Sequence, residues 1–278
     1  MRGYLRTAVL FIVLTLILVG VGQVLTYYMG GGLALTFAFL GFAILMNIVL
    51  YFSSGKIAVR MARAKMVSPQ EAPKLHALVD RVVMRAGIPK PQVGISPDTT
   101  PNAFATGRNP KHAYMVVNQG ILDLLTEEEL EGVVAHEISH IKNRDVLIMT
   151  IASVVATIIS HLGYAALFAR DRNANPLIGL ALWILAPIAA MIVQLAISRS
   201  REYGADASGA RILGHGQGLA RALQKMDTYV KHRPSRHVSP AMSSLYIVNP
   251  LRGASVGRMF STHPSTADRI RRLEELRF

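Results

Sequence analysis

The sequence contains no cysteine, so disulfide bonds and cysteine-ligated metal sites are both excluded. Any zinc site in this chain must therefore use histidine and carboxylate ligands. Acidic residues are also scarce, because 17 Asp and Glu stand against 30 Lys and Arg, for a net charge of +13. The basic residues mostly flank apolar runs, and the chain has no nucleic-acid-binding motif and no basic stripe interleaved with aromatic residues. We therefore expect the positive charge to face a membrane, with no nucleic acid as partner.

Four long apolar runs supply much of the 51% hydrophobic content. Ala8 to Tyr27 and Leu33 to Phe52 carry no charge, and each has about the length of a helix that crosses the hydrocarbon core. A cleaved signal peptide is the alternative for the first run, but a second run follows directly after a glycine-rich link. Val146 to Phe168 and Pro176 to Ile197 are the third and fourth candidates. For these two, a buried helix pair in a soluble domain is the alternative.

The placement of Lys and Arg predicts the orientation of the spans. Basic residues cluster before the first span, after the second, before the third and after the fourth. Both termini and the central region should therefore lie in the cytoplasm. This predicts a membrane hairpin at residues 1–53, a second helix pair at 146–197, and one cytoplasmic domain built in two parts from 54–145 and 198–278.

The central region carries the pattern of a small α/β segment. A capping box at Ser68 predicts a helix that begins there and at Pro69, and Gly87 ends it. Short alternating runs predict strands at Val93 to Ile95, at 102–106 and at 113–117, with a turn over 107–110 between the last two. A strand that holds an extended substrate by backbone pairing is the further hypothesis for one of them, and an ordinary hairpin strand is the alternative. The candidate substrate-binding residues are Asn102, Ala103, Phe104, Ala105 and Thr106.

A histidine-rich helix is the chemical centre of the sequence. Thr126 and Glu129 form a capping box that starts it, so His136, Glu137 and His140 lie well inside a helix. Residues four apart share a helix face, so both imidazoles can bind one metal ion while Glu137 reaches a water on that metal. This H-E-x-x-H pattern is typical of zinc metalloproteases, in which the glutamate is the general base. Two ordinary surface histidines are the alternative.

A third protein ligand is needed if the fourth position is to hold water. Glu202 and Asp206 follow the fourth apolar run and share a helix face. Glu202 is the candidate ligand, and Asp206 can fix a zinc-bound histidine through its outer ring nitrogen. The alternative is that both carboxylates pair with nearby arginines on a solvated face.

The segments HEISHIKNRD, SRSREYGADASGA, PNAFATG and STHPS together resemble the HtpX-type membrane zinc metalloproteases, relatives of the CAAX prenyl proteases. The resemblance covers nearly the whole chain. It implies one Zn²⁺ per chain, bound by His136, His140 and Glu202, with Glu137 as catalytic base. It also implies an endopeptidase of the cell (inner) membrane that cuts misfolded membrane proteins and itself, alongside other quality-control proteases. The expected fold is α+β, mainly helical, with four transmembrane helices and a cytoplasmic zincin-like domain that carries a small β-sheet.

The tetrahedral oxyanion of peptide hydrolysis needs a donor besides the metal. His263 is the candidate, with Arg201 and Tyr203 as alternatives, and a structural role at the start of the last helix is the competing interpretation for His263.

The position of the metal also bears on the substrate. His140 lies six residues before Val146, and we expect one continuing helix between them. The metal then lies about 10 Å from the start of a span, which favours cleavage of cytoplasmic loops and tails near the bilayer. An intramembrane protease and a non-catalytic scaffold or channel with a structural metal are the other two classes.

Overall fold

The computed structural model describes residues 2–29, 32–155, 199–233, 245–248 and 264–277. Its helices are α1 (Arg2–Met29), α2 (Leu33–Met61), α3 (Pro73–Ala86), α4 (Gln119–Leu124), α5 (Glu127–Lys142), α6 (Val146–Val155), α7 (Arg199–Leu213), α8 (Gln217–His232) and α9 (Thr266–Glu275). Its strands are β1 (Lys65–Met66), β2 (Gln92–Ser96), β3 (Ala103–Asn109) and β4 (His112–Asn118). The described part of the chain is therefore mostly helical with a small sheet, as the sequence predicted.

The four strands form one mixed sheet in the order β1-β2-β4-β3. The β2–β4 pair is parallel, whereas β1–β2 and β3–β4 are antiparallel. Among the described strands, β3 is thus an edge strand, and it is the strand that contains residues 103–106 of the predicted substrate-binding segment. On the side away from β4, the amide of Ala105 in β3 bonds to Glu137 of helix α5, with which the strand packs.

One apolar core joins parts of the chain that lie far apart in sequence. Val79 of α3 and Met115 of β4 pack in the same cluster as Ile138 of α5. The same cluster contains Leu223 of α8 and Leu273 of α9, from the C-terminal part of the chain. Helix α5 runs through the middle of this core, and α7 and α8 pack against it. Residues 132–141 of α5 are all buried, so the side chains on this part of the helix are held in place by packing.

Helices α1 and α2 pack as an antiparallel pair. The amide of Asn47 donates to the carbonyl of Phe11 at 3.2 Å and to the hydroxyl of Thr15 at 2.7 Å. Interhelical bonds of this kind are typical of helices in apolar surroundings. Within the described residues, α2 is the one helix with the length and apolarity to cross a membrane, while Thr7–Gly20 and Val146–Val155 are shorter apolar helical stretches. The predicted fourth span lies outside the described residues, as does most of the third.

The first helix of the central region begins later than its capping pattern predicted. Ser68 and Glu71 do exchange the two capping hydrogen bonds, at 3.3 and 2.8 Å. The helix nevertheless starts at Pro73. A helix starting at Pro69 would need an N–H at Pro73, which proline lacks, so Pro73 becomes the first helical residue instead.

The predicted turn over 107–110 is also shifted, because β3 continues through Gly107 to Asn109. The pairing with β4 is irregular between these two residues, where Gly107 has φ 135°. The chain reverses one step later, where the Asn109 side chain accepts a hydrogen bond of 3.0 Å from the amide of Lys111.

Helix α5 does not continue to Val146, so the prediction of one continuing helix was wrong. It ends at Lys142, and Arg144 takes the left-handed conformation with φ 61°. The amide of Arg144 bonds to the Ile141 carbonyl and the amide of Asp145 to the His140 carbonyl, at 3.1 and 3.0 Å. These two bonds form a Schellman motif, which closes the helix at its last turn.

Candidate metal centre

The helix that carries the histidines starts at a complete capping box. The Thr126 hydroxyl accepts from the amide of Glu129, and the Glu129 carboxylate accepts from the amide of Thr126. Three glutamates in the first turn place negative charge at the positive end of the helix dipole. Lys225 of α8 bonds to the same Glu129 carboxylate at 2.8 Å, which ties the start of α5 to its neighbour.

His136 and His140 lie on one buried face of α5. Their rings are nearly perpendicular, at 88°, with centroids 4.8 Å apart. Each ring directs Nε2 toward the same carboxylate, that of Glu202 on α7. The histidines are therefore core residues that face a common point, and the alternative of ordinary surface histidines is ruled out by their burial.

The three side chains fit a zinc ion. Nε2 of His136 lies 3.8 Å from Glu202 Oε2, and Nε2 of His140 lies 3.5 Å from Oε1. Ligand atoms about 2.0–2.1 Å from a tetrahedral zinc are about 3.3 Å from one another, so small side-chain adjustments suffice. One ligand atom from each residue falls within 4.8 Å of the other two. Glu202 and Asp206 thus turn inward, and the alternative of a solvated arginine-paired face is excluded.

Close helix packing brings Glu202 to the histidines. Gly209 on α7 faces the α5 backbone, and a Cβ there would lie 2.9 Å from the amide nitrogen of His136. The α5–α7 contact is therefore as close as a glycine allows. One helical turn along α7 from Gly209, Asp206 also faces the site.

Each histidine has a carboxylate behind it. Nδ1 of His136 lies 2.9 Å from Asp206 Oδ1, and Nδ1 of His140 lies 3.7 Å from Asp145 Oδ2. A carboxylate on Nδ1 leaves Nε2 free of its proton and directs it to a metal. Burial alone would lower the pKa of His140, but Asp145, Glu202 and Glu137 raise it to about 9, so a metal that binds Nε2 must displace a proton.

Arg269 of α9 is the residue that the sequence did not single out. Its side chain is 1% exposed and makes two parallel hydrogen bonds to Asp206, Nε to Oδ2 at 2.8 Å and Nη2 to Oδ1 at 2.7 Å. The same guanidinium lies 3.6 Å from Glu202 Oε2 and 3.5 Å from His136 Nε2. Arg269 therefore lies against two candidate ligands, Glu202 and His136, and also pairs with Asp206 beside His136.

Charge pairing outweighs burial for this arginine and its partner. Burial alone would raise the pKa of Asp206, but the guanidinium of Arg269 and the ring of His136 hold it below its usual range. Burial would likewise lower the pKa of Arg269, yet the carboxylates of Asp206, Glu202 and Glu137 raise it. Both side chains therefore stay charged inside the core.

Glu137 faces the edge strand rather than Glu202. Its Oε2 accepts a hydrogen bond of 2.8 Å from the backbone amide of Ala105 in β3. Burial raises the pKa of Glu137, an effect that His136, His140 and the Ala105 amide reduce. A carboxylate with a raised pKa is a better proton acceptor near neutral pH than an ordinary glutamate.

The predicted substrate-binding residues are all buried, and two of them make specific contacts. The Asn102 amide donates to the Leu245 carbonyl and accepts from the Ile247 amide, both at 3.1 Å. The Thr106 hydroxyl lies 2.8 Å from that of Thr150 on α6. Ala103 and Ala105 pack in the core cluster that contains Ile138 of α5, whereas Phe104 packs with Val59 of α2. The amide of Ala105 brings this strand next to the helix that carries the candidate metal ligands.

The candidate oxyanion donors are placed differently. His263 lies outside the described residues. The ring of Tyr203 packs under the guanidinium of Arg272, 3.9 Å from its centroid. Arg201 is half-buried on α7.

A buried H-E-x-x-H helix with a glutamate from a second helix is the site of a metalloprotease, and comparison with known proteins agrees. Residues 69–277 match Peptidase family M48. The chain is 47% identical over 282 residues to a "Protease HtpX homolog" of Thermococcus kodakarensis, covering 98% of this chain and 96% of that one. It is 47% identical over 281 residues to the homolog of Pyrococcus abyssi, with the same coverage.

The chain belongs to peptidase family M48. Its curated relatives are HtpX-type proteases, so the predicted resemblance is confirmed. A crystal structure of S. mikatae Ste24p is similar with a TM-score of 0.48 and 21% identity, over 98% of this chain and 66% of that one.

Proposed function

We propose that the protein is a membrane-bound zinc endopeptidase that hydrolyses cytoplasmic segments of damaged or misfolded membrane proteins and of its own chain. The observation that carries the proposal is the convergence of His136, His140 and Glu202 beside the Glu137 carboxylate. A purely structural metal needs no buried base next to an edge strand. This arrangement therefore favours catalysis over a scaffold or channel with a metal site.

His136, His140 and Glu202 would hold one Zn²⁺ per chain. Zinc supplies Lewis acidity, which polarises the scissile carbonyl and lowers the pKa of a water molecule. Asp206 and Asp145 lie 2.9 and 3.7 Å from the Nδ1 atoms of the two imidazoles, and Arg269 keeps Asp206 ionised. The chain's own residues therefore preorganise the ligands before a substrate arrives.

Glu137 moves the protons. Its carboxylate accepts a proton from the attacking water and delivers it to the nitrogen of the departing amine. The hydrogen bond from the Ala105 amide fixes the carboxylate between the metal ligands and β3. A substrate chain that pairs with β3 by β-augmentation would present its carbonyl at that point. His263 would donate to the oxyanion, which adds to the charge stabilisation from the metal.

The membrane arrangement is part of the proposal. Residues 1–53, which include α1 and most of α2, would form a hairpin in the membrane. This hairpin would anchor a cytoplasmic domain built from 54–145 and 198–278. Residues 146–197 would supply the second membrane pair. Helix α5 carries Glu127, Glu128 and Lys142 on exposed positions, which favours a site in the aqueous phase over cleavage inside the bilayer.

The test compares wild type with Glu137→Gln and with Glu128→Gln, an exposed acid on the same helix. Each is purified in detergent with zinc, and casein and self-cleavage fragments are followed on gels. We expect Glu137→Gln to retain zinc and to lose cleavage by a factor of about 10² to 10⁴, the usual contribution of a general base. Glu128→Gln should match wild type. Equal cleavage by wild type and Glu137→Gln, with zinc in both, would refute the proposal.

The His263 role is tested by His263→Ala with the same gels and a zinc measurement. We expect zinc to stay bound while cleavage falls by a factor of about 10 or more. Unchanged turnover would leave His263 with a structural role only.

A further inference from the structure

We propose that the edge strand β3 sets the point of cleavage at a short, fixed distance from the membrane surface. The substrates would then be polypeptide tails attached to a transmembrane helix, cut by distance from the bilayer rather than by sequence. This inference rests on the proposed function and on α2 as a membrane span. It adds to them the distance between the scissile bond of the substrate and the membrane surface.

The C-terminal part of β3 packs directly against α2. Gly55 of α2 and Gly107 of β3 meet so closely that a Cβ at Gly55 would lie 3.0 Å from the Gly107 Cα. The same Cβ would lie 3.2 Å from the ring of Tyr114 on β4. A contact between helix and strand backbones at this distance leaves no room for a side chain, so the strand end and this turn of α2 are at the same level.

That turn of α2 is where its surroundings change. Phe52 is 57% exposed and Ile48 is 50% exposed, which gives α2 a long apolar outer face. Ser54, Gly55 and Ala58 are buried by protein, and Lys56 is exposed. An apolar face that ends at a basic residue marks the edge of the hydrocarbon region in a membrane helix. The boundary therefore lies between Phe52 and Lys56, beside Gly107.

Arg108 gives independent support for this level. Its guanidinium lies 4.8 Å from the centroid of the Phe52 ring and 6.0 Å from that of the Tyr51 ring. Aromatic rings with a cation over them are typical of the interface, where the rings face the acyl chains and the charge reaches the headgroups. The residue that follows Gly107 in β3 is thus suited to the membrane surface.

The distance runs from this lipid boundary to the carboxylate of Glu137. Ala105, whose amide bonds to Glu137, precedes Gly107 by two residues. Two residues of a strand span about 7 Å. A substrate paired with β3 would therefore reach the lipid boundary about two to three residues from its scissile bond.

Contacts with α6 also keep this distance fixed. Thr106, between these two points, contacts Thr150 of α6. Leu147 and Ile151 of α6 pack in one cluster with Leu50 and Ala58 of α2. The strand is therefore bound to both apolar helices, and its position relative to the membrane cannot drift as a loop would.

The experiment uses wild-type protein in liposomes of phosphatidylethanolamine and phosphatidylglycerol. The probe is a designed single-span helix with an unstructured tail of one repeated sequence, made with the tail at either terminus. The cut positions are read by mass spectrometry. A second probe has four Gly and Ser residues inserted between helix and tail, and the free tail and casein serve as soluble controls.

We expect cuts within about two to three residues of the lipid boundary in at least one tail polarity. The insertion should leave this distance unchanged, so that the cut moves by about four residues in the tail sequence. The free tail should be cut without a preferred position. Cuts that follow the sequence, or that spread along the anchored tail, would overturn the distance rule while leaving the protease function intact. If neither the tails nor casein are cut, the proposed function fails as well.

A variant pair tests Arg108 as the interfacial contact. Arg108→Glu places an anion against the anionic surface, and Arg85→Glu makes the same change on the exposed face of α3. We expect Arg108→Glu to move the cut outward by at least one residue and Arg85→Glu to leave it in place. The same cut position in both variants would overturn the role of Arg108.

Discussion

The guanidinium of Arg269 forms a two-pronged ion pair with the carboxylate of Asp206, 63 residues earlier in the chain. Both side chains are buried, and the pair stands directly behind His136. The geometry of the candidate metal ligands therefore depends on a charge from α9, near the C-terminal end of the chain.

Removal of the arginine should leave Asp206 as a buried charge without its strongest partner. We expect Arg269→Met to lower the free energy of unfolding by about 3 to 5 kcal/mol, as for other broken buried pairs. Arg271→Met removes an arginine of the same helix from an exposed pair with Asp268 and should cost at most about 1 kcal/mol. Urea unfolding in detergent measures both, and equal effects would contradict the structural role of Arg269.

The glycine between α5 and α7 should control metal binding. Gly209→Ala introduces a Cβ that would lie 2.9 Å from the His136 amide, so α7 must move and carry Glu202 with it. We expect a loss of about 1 to 3 kcal/mol in stability from overpacking, together with weaker zinc binding. Gly204→Ala on the same helix meets nothing within 4 Å and should stabilise by about 0.5 to 1 kcal/mol. Zinc titration against a chelator distinguishes the two, and unchanged affinity in Gly209→Ala would refute the expectation.

The threonine pair between β3 and α6 should respond unequally to substitution. Thr150 donates its proton to the Val146 carbonyl at 2.6 Å, so Thr106 must donate to Thr150. Thr150→Val leaves the Thr106 hydroxyl buried without its acceptor and should cost about 1 to 3 kcal/mol. Thr106→Val leaves Thr150 bonded to Val146, so it should lower the free energy of unfolding by less than Thr150→Val does. The double variant should be about as stable as Thr106→Val. Unfolding experiments in which Thr106→Val loses more stability than Thr150→Val would contradict the assignment of Thr106 as donor and Thr150 as acceptor.

The start of the metal helix should make stability depend on pH. Burial alone would raise the pKa of Glu129, but Lys225 and the amide and hydroxyl of Thr126 lower it below its usual value. A depressed pKa contributes stability above the unfolded value of 4.5 and loses it as the pH falls through the folded value. We expect Glu129→Gln to be less stable than wild type at pH 7 by about 1 kcal/mol. The difference should shrink below pH 4.5, and a constant difference from pH 7 to pH 3.5 would contradict it.

The sequence predicted the parts of the site that are local in the chain. The Thr126 capping box and the four-residue spacing of the histidines define one helix and one face, and the structure has both. Asp145 could also have been found, because an aspartate directly before an apolar helical run is a typical N-cap. The assumption of one continuous helix through Val146 hid it.

Arg269 and the Ala105 amide could not be predicted in the same way. Arg269 lies in a basic helix where its neighbours Arg271 and Arg272 look identical in sequence, and only the tertiary packing of α9, which brings Arg269 to Asp206, buries it. The Ala105 amide is a backbone group, and its contact with Glu137 depends on the placement of β3 at the sheet edge. Both are long-range contacts with no local pattern.

The order in which the ribosome makes these parts has a consequence of its own. His136 is synthesised 133 residues before Arg269, the group that keeps its carboxylate partner ionised. While residues 143 to 268 are being made, a nascent chain therefore has its histidine helix but not the arginine that completes the ligand support. Such a chain should bind zinc weakly and cut nothing, so the growing protein and its neighbours at the insertion site are protected from premature proteolysis.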